Sequence, residues 1–140
     1  MIKFLIPMDP VPKGRHRFSR GMVYTPSKTV KAEKLIASEA KRLCGITEPL
    51  KGPIKLAAVF QIKRPKSVKR EYATARPDLD NYLKTLCDAL KDYWLDDSQV
   101  VHIECLKRYG PTAFIYVEID RFKSDPFDHI VYPDGFLVDL

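Results

Sequence analysis

Pro77-Asp78-Leu79-Asp80-Asn81-Tyr82-Leu83-Lys84-Thr85-Leu86-Cys87-Asp88-Ala89-Leu90-Lys91-Asp92-Tyr93 carries Leu79, Leu83, Leu86, Leu90 and Tyr93 at steps of four, three, four and three. That recurrence gathers the apolar side chains on one helical stripe, and Pro77-Asp78 supplies a helix start. The flanking stretches have a period of two instead. Upstream, Ile54, Leu56, Ala58, Phe60 and Ile62 alternate as in a half-buried strand. Downstream, Val100–Lys107 and Ala113–Ile119 read as two more strands, with Tyr109-Gly110-Pro111 as the hairpin turn between them. Nearer the N-terminus, Ile2, Phe4 and Ile6 form a short strand closed by Pro7, and Met22-Val23-Tyr24 a brief second one. Ala32, Leu35, Ile36, Ala40 and Leu43 then recur at helical spacing, in a helix that Thr25-Pro26 starts and Gly45 stops. Strand, helix, strand, helix, strand, strand predicts an α+β fold: a mixed β-sheet of about four main strands with two helices packed on it.

The chain has 140 residues, a size typical of a single domain, and 45% of them are apolar, enough for a sizeable core. Residues 1–120 read as one domain. Residues 121–140 are acidic, with two prolines and scattered aromatics, and read as a C-terminal extension, either disordered or folded against a partner. No apolar run approaches the roughly 18 residues of a membrane span, and the N-terminal apolar stretch breaks at Pro7 without a signal-peptide cleavage pattern. Cys44, Cys87 and Cys105 are odd in number and widely spaced, which suits reduced cytosolic thiols rather than a disulfide frame or a zinc site.

Lys and Arg number 24 against 18 Asp and Glu, a formal charge of +6. The excess condenses into Lys13-Gly14-Arg15-His16-Arg17-Phe18-Ser19-Arg20, which has no acid, and Lys63-Arg64-Pro65-Lys66-Ser67-Val68-Lys69-Arg70-Glu71. Loop-borne cations beside aromatics suit a phosphate backbone; read alone, they equally suit two solvated loops. Phe18 reads either as a base-stacking residue or as a core contact.

Against this basic background stand Asp78 and Asp80 at the mouth of the second helix, Asp96 and Asp97 beyond its far end, and Lys84 one turn after Asp80. Singly, each has an ordinary role. Asp78 suits a helix cap, Asp80 and Lys84 a surface pair, and Asp96-Asp97 a turn. Together, four carboxylates repel one another, and such a cluster is best tolerated where a cation resides. Mg2+ takes oxygen ligands, usually one or two carboxylates plus substrate phosphate. A DNA-collecting surface around an acidic metal pocket is the charge plan of a nuclease. Geometry raises an objection, because a helix of roughly 15 residues separates the acid pairs by about 22 Å. Either the loop after Trp94 folds back along the helix, or the second pair reaches a dimer mate.

Arg76-Pro77-Asp78-Leu79-Asp80-Asn81-Tyr82-Leu83-Lys84, Asp88-Ala89-Leu90 and Trp94-Leu95-Asp96-Asp97-Ser98-Gln99-Val100 resemble the signature of RusA-type Holliday junction resolvases. Pro10-Val11-Pro12-Lys13-Gly14-Arg15-His16-Arg17-Phe18 and Tyr24-Thr25-Pro26 resemble that family's N-terminal segment, with His16 standing where proline is expected. The resemblance implies a RusA-like fold and a homodimeric, Mg2+-dependent endodeoxyribonuclease, with Mn2+ as an alternative ion, that cuts four-way DNA junctions in recombination and repair. Such enzymes are often carried by prophages, which implies a cytoplasmic location, in the host cytosol. Carried over by position, Asp78, Asp80 and Asp97 would bind metal, with Asp96 as a further candidate, and Lys84 would be the catalytic cation. Asn81 would hydrogen-bond behind the ligands, while Lys13, Arg15, Arg17, Lys66, Lys69, Arg70 and Arg76 would contact DNA. The strands near residues 100–119 are candidates for the dimer interface. Two alternatives stand beside this reading: a non-catalytic basic DNA-binding phage protein, and a metal nuclease of different specificity. The first leaves the clustered aspartates without a purpose.

Overall fold

The computed structural model describes residues 1–131, so the last part of the expected extension, 132–140, lies outside the described residues. Eight elements follow one another: β1 (Ile2–Ile6), β2 (Arg17–Ser19), β3 (Met22–Tyr24), α1 (Ser27–Cys44), β4 (Ile54–Lys63), α2 (Leu79–Ala89), β5 (Val100–Gly110) and β6 (Phe114–Arg121). Four strands form a mixed sheet in the order β1-β6-β4-β5. Strand β6 runs antiparallel to both β1 and β4, whereas β4 and β5 are parallel and joined through α2. The fold is α+β.

The alternation in β4 explains its central place. Ile54, Leu56, Ala58 and Phe60 are buried along one face, and Ile115, Val117 and Ile119 of β6 continue that surface. Helix α1 seals it with Ala32, Ile36 and Ala40, and α2 with Tyr82, Leu86 and Ala89. Tyr82 stacks on Phe60 with ring centroids 5.5 Å apart. Leu86, Leu90 and Tyr93 of the expected row are buried, and the stripe is broadened by Tyr82 and Ala89. Leu79 and Leu83 are only partly buried, and Tyr82 takes the central position. The helix also ends sooner, at Ala89, and a single 3-10 turn carries the chain through Tyr93.

The expected hairpin between β5 and β6 does not form. These strands are consecutive in the chain, but β4 lies between them in the sheet. Their connection crosses the end of β4, where the Gln61 side chain donates to the Thr112 carbonyl (2.8 Å) and accepts from Arg108 Nε (2.9 Å). A Cβ on Gly110 would collide with the Gln61 amide and displace it from its bonds to Thr112 and Arg108. A second departure is β2, which pairs with β3 as a separate two-stranded ribbon through a turn with positive φ at Arg20 and Gly21. Helix α1 starts without a side-chain cap, so Thr25 is not the expected hydroxyl cap.

After β6 the chain stays attached at first: Phe122 N donates to the Pro53 carbonyl (2.9 Å), and its ring meets His102 edge-on. Among the described residues, no helix is long and apolar enough to cross a membrane.

Candidate active site

The N-terminal segment that precedes β2 is laid against both helices. Gly14 N donates to Thr29 Oγ1 (3.0 Å), and Lys13 N donates to the Asn81 carbonyl at the first turn of α2 (2.9 Å). A Cβ on Gly14 would lie 2.7 Å from Pro26 Cγ, so only glycine fits this approach. Lys13 Nζ bridges Glu33 Oε1 (2.7 Å) and Asp88 Oδ2 (2.8 Å). Burial pushes the Lys13 ammonium down, but the bonds to Asp88 and Glu33 outweigh it and leave its pKa raised. Lys13, one of the residues expected to contact DNA, is engaged here by two carboxylates and ties α1 to α2.

Between this segment, α2 and β5 lies a cleft of about 580 Å³. Leu83, Cys87, Trp94 and Ile103 give it an apolar floor, while Asn81, Lys84, Asp88, Asp97, Arg15 and His16 line its polar walls. Burial, assisted by Asp97 and Asp88, pushes the Cys87 thiol up to about 11. Cys87 therefore stays protonated near neutral pH and is a poor nucleophile.

Asp97 reaches this cleft because the chain doubles back after α2. Buried Trp94 donates from Nε1 to Asp97 Oδ1 (2.8 Å). Gln99 holds the same turn: its Oε1 accepts from Leu95 N (2.7 Å) and Asp96 N (2.8 Å), and its Nε2 donates to the Leu50 (2.9 Å) and Gly52 (3.0 Å) carbonyls. The expected distance problem is resolved for Asp97 and Lys84, which share one cleft within one chain.

The two neighbouring aspartates of the turn differ. Asp96 Oδ1 accepts from Ser98 N (2.8 Å) as a capping residue, and that bond lowers its pKa. It does not line the cleft but a neighbouring surface depression, which it shares with Lys91, Asp92 and Asp97. At α2 the situation is reversed: Asp78 occupies the N-cap position, yet its side chain makes no capping hydrogen bond. The Asp78 carboxylate is exposed and uncommitted. Asp80 is also exposed and lies 3.8 Å from Lys84 Nζ. Among the described residues, no group of three or more His, Cys, Asp or Glu side chains converges as a ready-made metal cage. Asp97 lines the cleft, Asp80 approaches Lys84 on its wall, and Asp78 stands at the N-cap of α2, so the three do not close on one point. An oxygen-only set of this kind suits a hard cation that shares its shell with substrate phosphate, not a closed structural site.

The loop that carries Lys66, Lys69, Arg70 and Arg76 is moored to β5 at several points. Arg64 N donates to the Gly110 carbonyl, Tyr109 N to the Glu71 carbonyl, and Lys107 Nζ to the Ala75 (3.0 Å) and Pro77 (2.9 Å) carbonyls. Arg70 lies over the Tyr109 ring, 5.7 Å from its centroid. Lys66, Lys69, Arg70 and Arg76, like Arg15 and Arg17, are exposed, and none has a carboxylate partner among the described residues.

The Endodeoxyribonuclease RusA family matches this chain over residues 7–120. The chain belongs to the RusA family. It is an endodeoxyribonuclease, a hydrolase of DNA phosphodiester bonds. The RusA match spans the segment at Lys13, the basic loop, α2 and the Trp94–Gln99 turn, which are the parts that build the cleft. The uncharacterized protein YqaN of Bacillus subtilis (strain 168) is 34% identical over 88% of this chain and 98% of its own length. The crossover junction endodeoxyribonuclease rusA of Lactococcus phage r1t is 39% identical over 48% of this chain and 53% of its own.

Asp88, Gln99, Lys107 and Thr29 shape this RusA-family site without having been singled out from sequence. Asp88 and Gln99 lie inside the signature stretches, the one available hint. Lys107 and Thr29 carry no such signal.

Proposed function

We propose that this RusA-family endonuclease cuts four-way DNA junctions in a divalent-metal-dependent reaction, as a homodimer with one cleft per subunit. The observation that carries the reading is the cleft itself. Asp97 and Lys84 both line it, together with Asn81 and Arg15, and Asp80 lies 3.8 Å from Lys84 Nζ. The phage relative's name, a crossover junction endodeoxyribonuclease, supports the choice of branched DNA.

Asp78, Asp80 and Asp97 would hold the ion, with Mg2+ or Mn2+ suited to all-oxygen donors. When bound, such an ion supplies a Lewis acid at the phosphoryl oxygen and a lowered pKa for coordinated water. The chain's own residues do the rest. Lys84, a solvent-facing point charge, offsets negative charge that develops as the phosphodiester is attacked. Its place beside Asp80 lets substrate phosphate compete for the ammonium. The Trp94 indole fixes one Asp97 oxygen, and the other has no hydrogen-bond partner among the described residues. Asn81, tied through its carbonyl to Lys13, sets the distance between the N-terminal segment and α2. Arg15, Arg17, Arg76 and the basic loop would grip backbone phosphates and set position. A homodimer would suit the reaction, because resolution needs matched cuts in two strands and a twofold axis supplies two equivalent sites.

Incubation with a synthetic four-way junction and with linear duplex, each in Mg2+ or EDTA, tests the reading. Paired nicks in the junction, in Mg2+ only, are expected. An intact junction in Mg2+, or equal cutting of linear duplex, overturns it.

A further inference from the structure

The ribbon β2–β3 is the least explained part of the fold. All six of its strand residues are exposed. Phe18 is 79% exposed, Met22 72% and Val23 54%. Pairing places Phe18 beside Val23 on one face, and Ser19–Met22 and Arg17–Tyr24 on the other. A two-stranded ribbon is marginal in water, and apolar side chains on both faces call for a surface that covers them.

Charge and position indicate that surface. No acid occurs between residues 10 and 32, and Arg15, Arg17 and Arg20 have no carboxylate partner among the described residues. A second copy of the ribbon would oppose these cations, whereas a polyanion would attract them. The ribbon also rises from the rim of the candidate active site, since Arg15 and His16 line the cleft and β2 starts at the next residue. Arginines beside exposed aromatic and methionine side chains match a nucleic acid whose base faces are open. Linear duplex hides those faces and imposes an unstacking cost before they can be used. At a branch point the stack is already interrupted, so insertion there is less costly.

We propose that the Arg17–Tyr24 ribbon is the branch-recognition element of this nuclease. Phe18, supported by its cross-strand neighbour Val23, stacks on base faces at the junction centre while Arg17 and Arg20 hold the adjacent phosphates. This rests on the branched-DNA reading of the cleft and adds to it the feature that separates a junction from linear duplex.

The test places 2-aminopurine at the branch point of a four-way junction and measures its fluorescence and the binding affinity in EDTA, alongside cleavage in Mg2+. Wild type is expected to raise the fluorescence. Phe18→Ala, at an exposed position that leaves folding intact, is expected to abolish the rise and to weaken junction binding about tenfold or more, with linear-duplex binding unchanged. Phe18→Trp is expected to restore both. Unaltered fluorescence and junction preference in Phe18→Ala/Val23→Ala, with wild type cutting junctions, overturns the inference alone. A shift of Phe18→Ala from dimer to monomer in sedimentation overturns it in favour of a second copy as the occupant. Failure of wild type to cut any junction in Mg2+ removes the reading of the cleft, and this inference with it.

Discussion

Gln99 is the point at which a modest change should disable the site without unfolding the protein. Its side chain makes four hydrogen bonds, two to backbone N–H groups of the Asp97 turn and two to carbonyls of the segment before β4. Each such bond contributes about 0.5–1.5 kcal/mol net. Three of the four are at exposed positions where water replaces the lost partner, so Gln99→Ala should cost on the order of 1–3 kcal/mol rather than the full sum. For a domain of this size that is a fall in Tm of roughly 3–12 °C. The effect on cutting should be larger, because the turn that aims Asp97 loses its only side-chain link to the Leu50–Gly52 segment among the described residues. A displacement of about 1 Å at a catalytic group can cost a hundredfold in rate. Gln99→Glu separates the two roles: it keeps the acceptor for Leu95 and Asp96 but sets a carboxylate against two carbonyls. Thermal melts combined with single-turnover cleavage of a four-way junction provide the assay. A Gln99→Ala protein that melts several degrees lower yet cuts at the wild-type rate would refute the reasoning, as would one that matches wild type in both.

Three further outcomes are expected. Asp96→Ala should lower stability by about 0.5–2 kcal/mol, the worth of a lost cap, and retain most cutting. Asp78→Ala should show the converse, near-wild-type melting with cutting abolished, and identical behaviour of the two would remove the distinction between them. The Lys13 pKa is raised above its ordinary 10.5, so its contribution to stability is fully present below that value and lost as pH rises through the folded value. Lys13→Met should therefore be less stable at neutral pH, with the gap to wild type closing in strongly alkaline solution, as denaturant midpoints across pH would show. Arg15→Ala should reduce the salt slope of DNA binding by about 0.9, whereas Lys13→Met should leave it nearly unchanged because that ammonium is already paired. An equal reduction in both would count Lys13 among the phosphate contacts.

What could be read in the sequence follows from how local each cause is. The alternation of β4 and β1 and the helical spacing of α1 are properties of short windows, and those elements stand where they were expected. The α2 stripe was legible at Leu86, Leu90 and Tyr93, but not the burial of Tyr82, which depends on its stack on Phe60, a contact made 22 positions away. The β5–β6 turn misled because closeness in the chain was taken for pairing, whereas the buried face of β4 claims the place between them. Strand β2 has three exposed residues and hence no apolar period to reveal it. Lys13 looked like one more free cation, since its partners Glu33 and Asp88 come together with it only in three dimensions. The aspartates and Lys84 were visible as a pattern, but that Asp97 returns to α2 depends on the Trp94 indole and on Gln99 reaching residues 47 and 49 positions away.

The most direct test of the cleft as the catalytic centre is cleavage of an end-labelled four-way junction by Asp80→Asn and Asp97→Asn, with binding measured on the same samples. Both variants should bind the junction as tightly as wild type or tighter, because each removes charge that repels phosphate, and neither should release nicked product in Mg2+. Undiminished cutting by either variant, in a protein that folds and binds, would contradict the account.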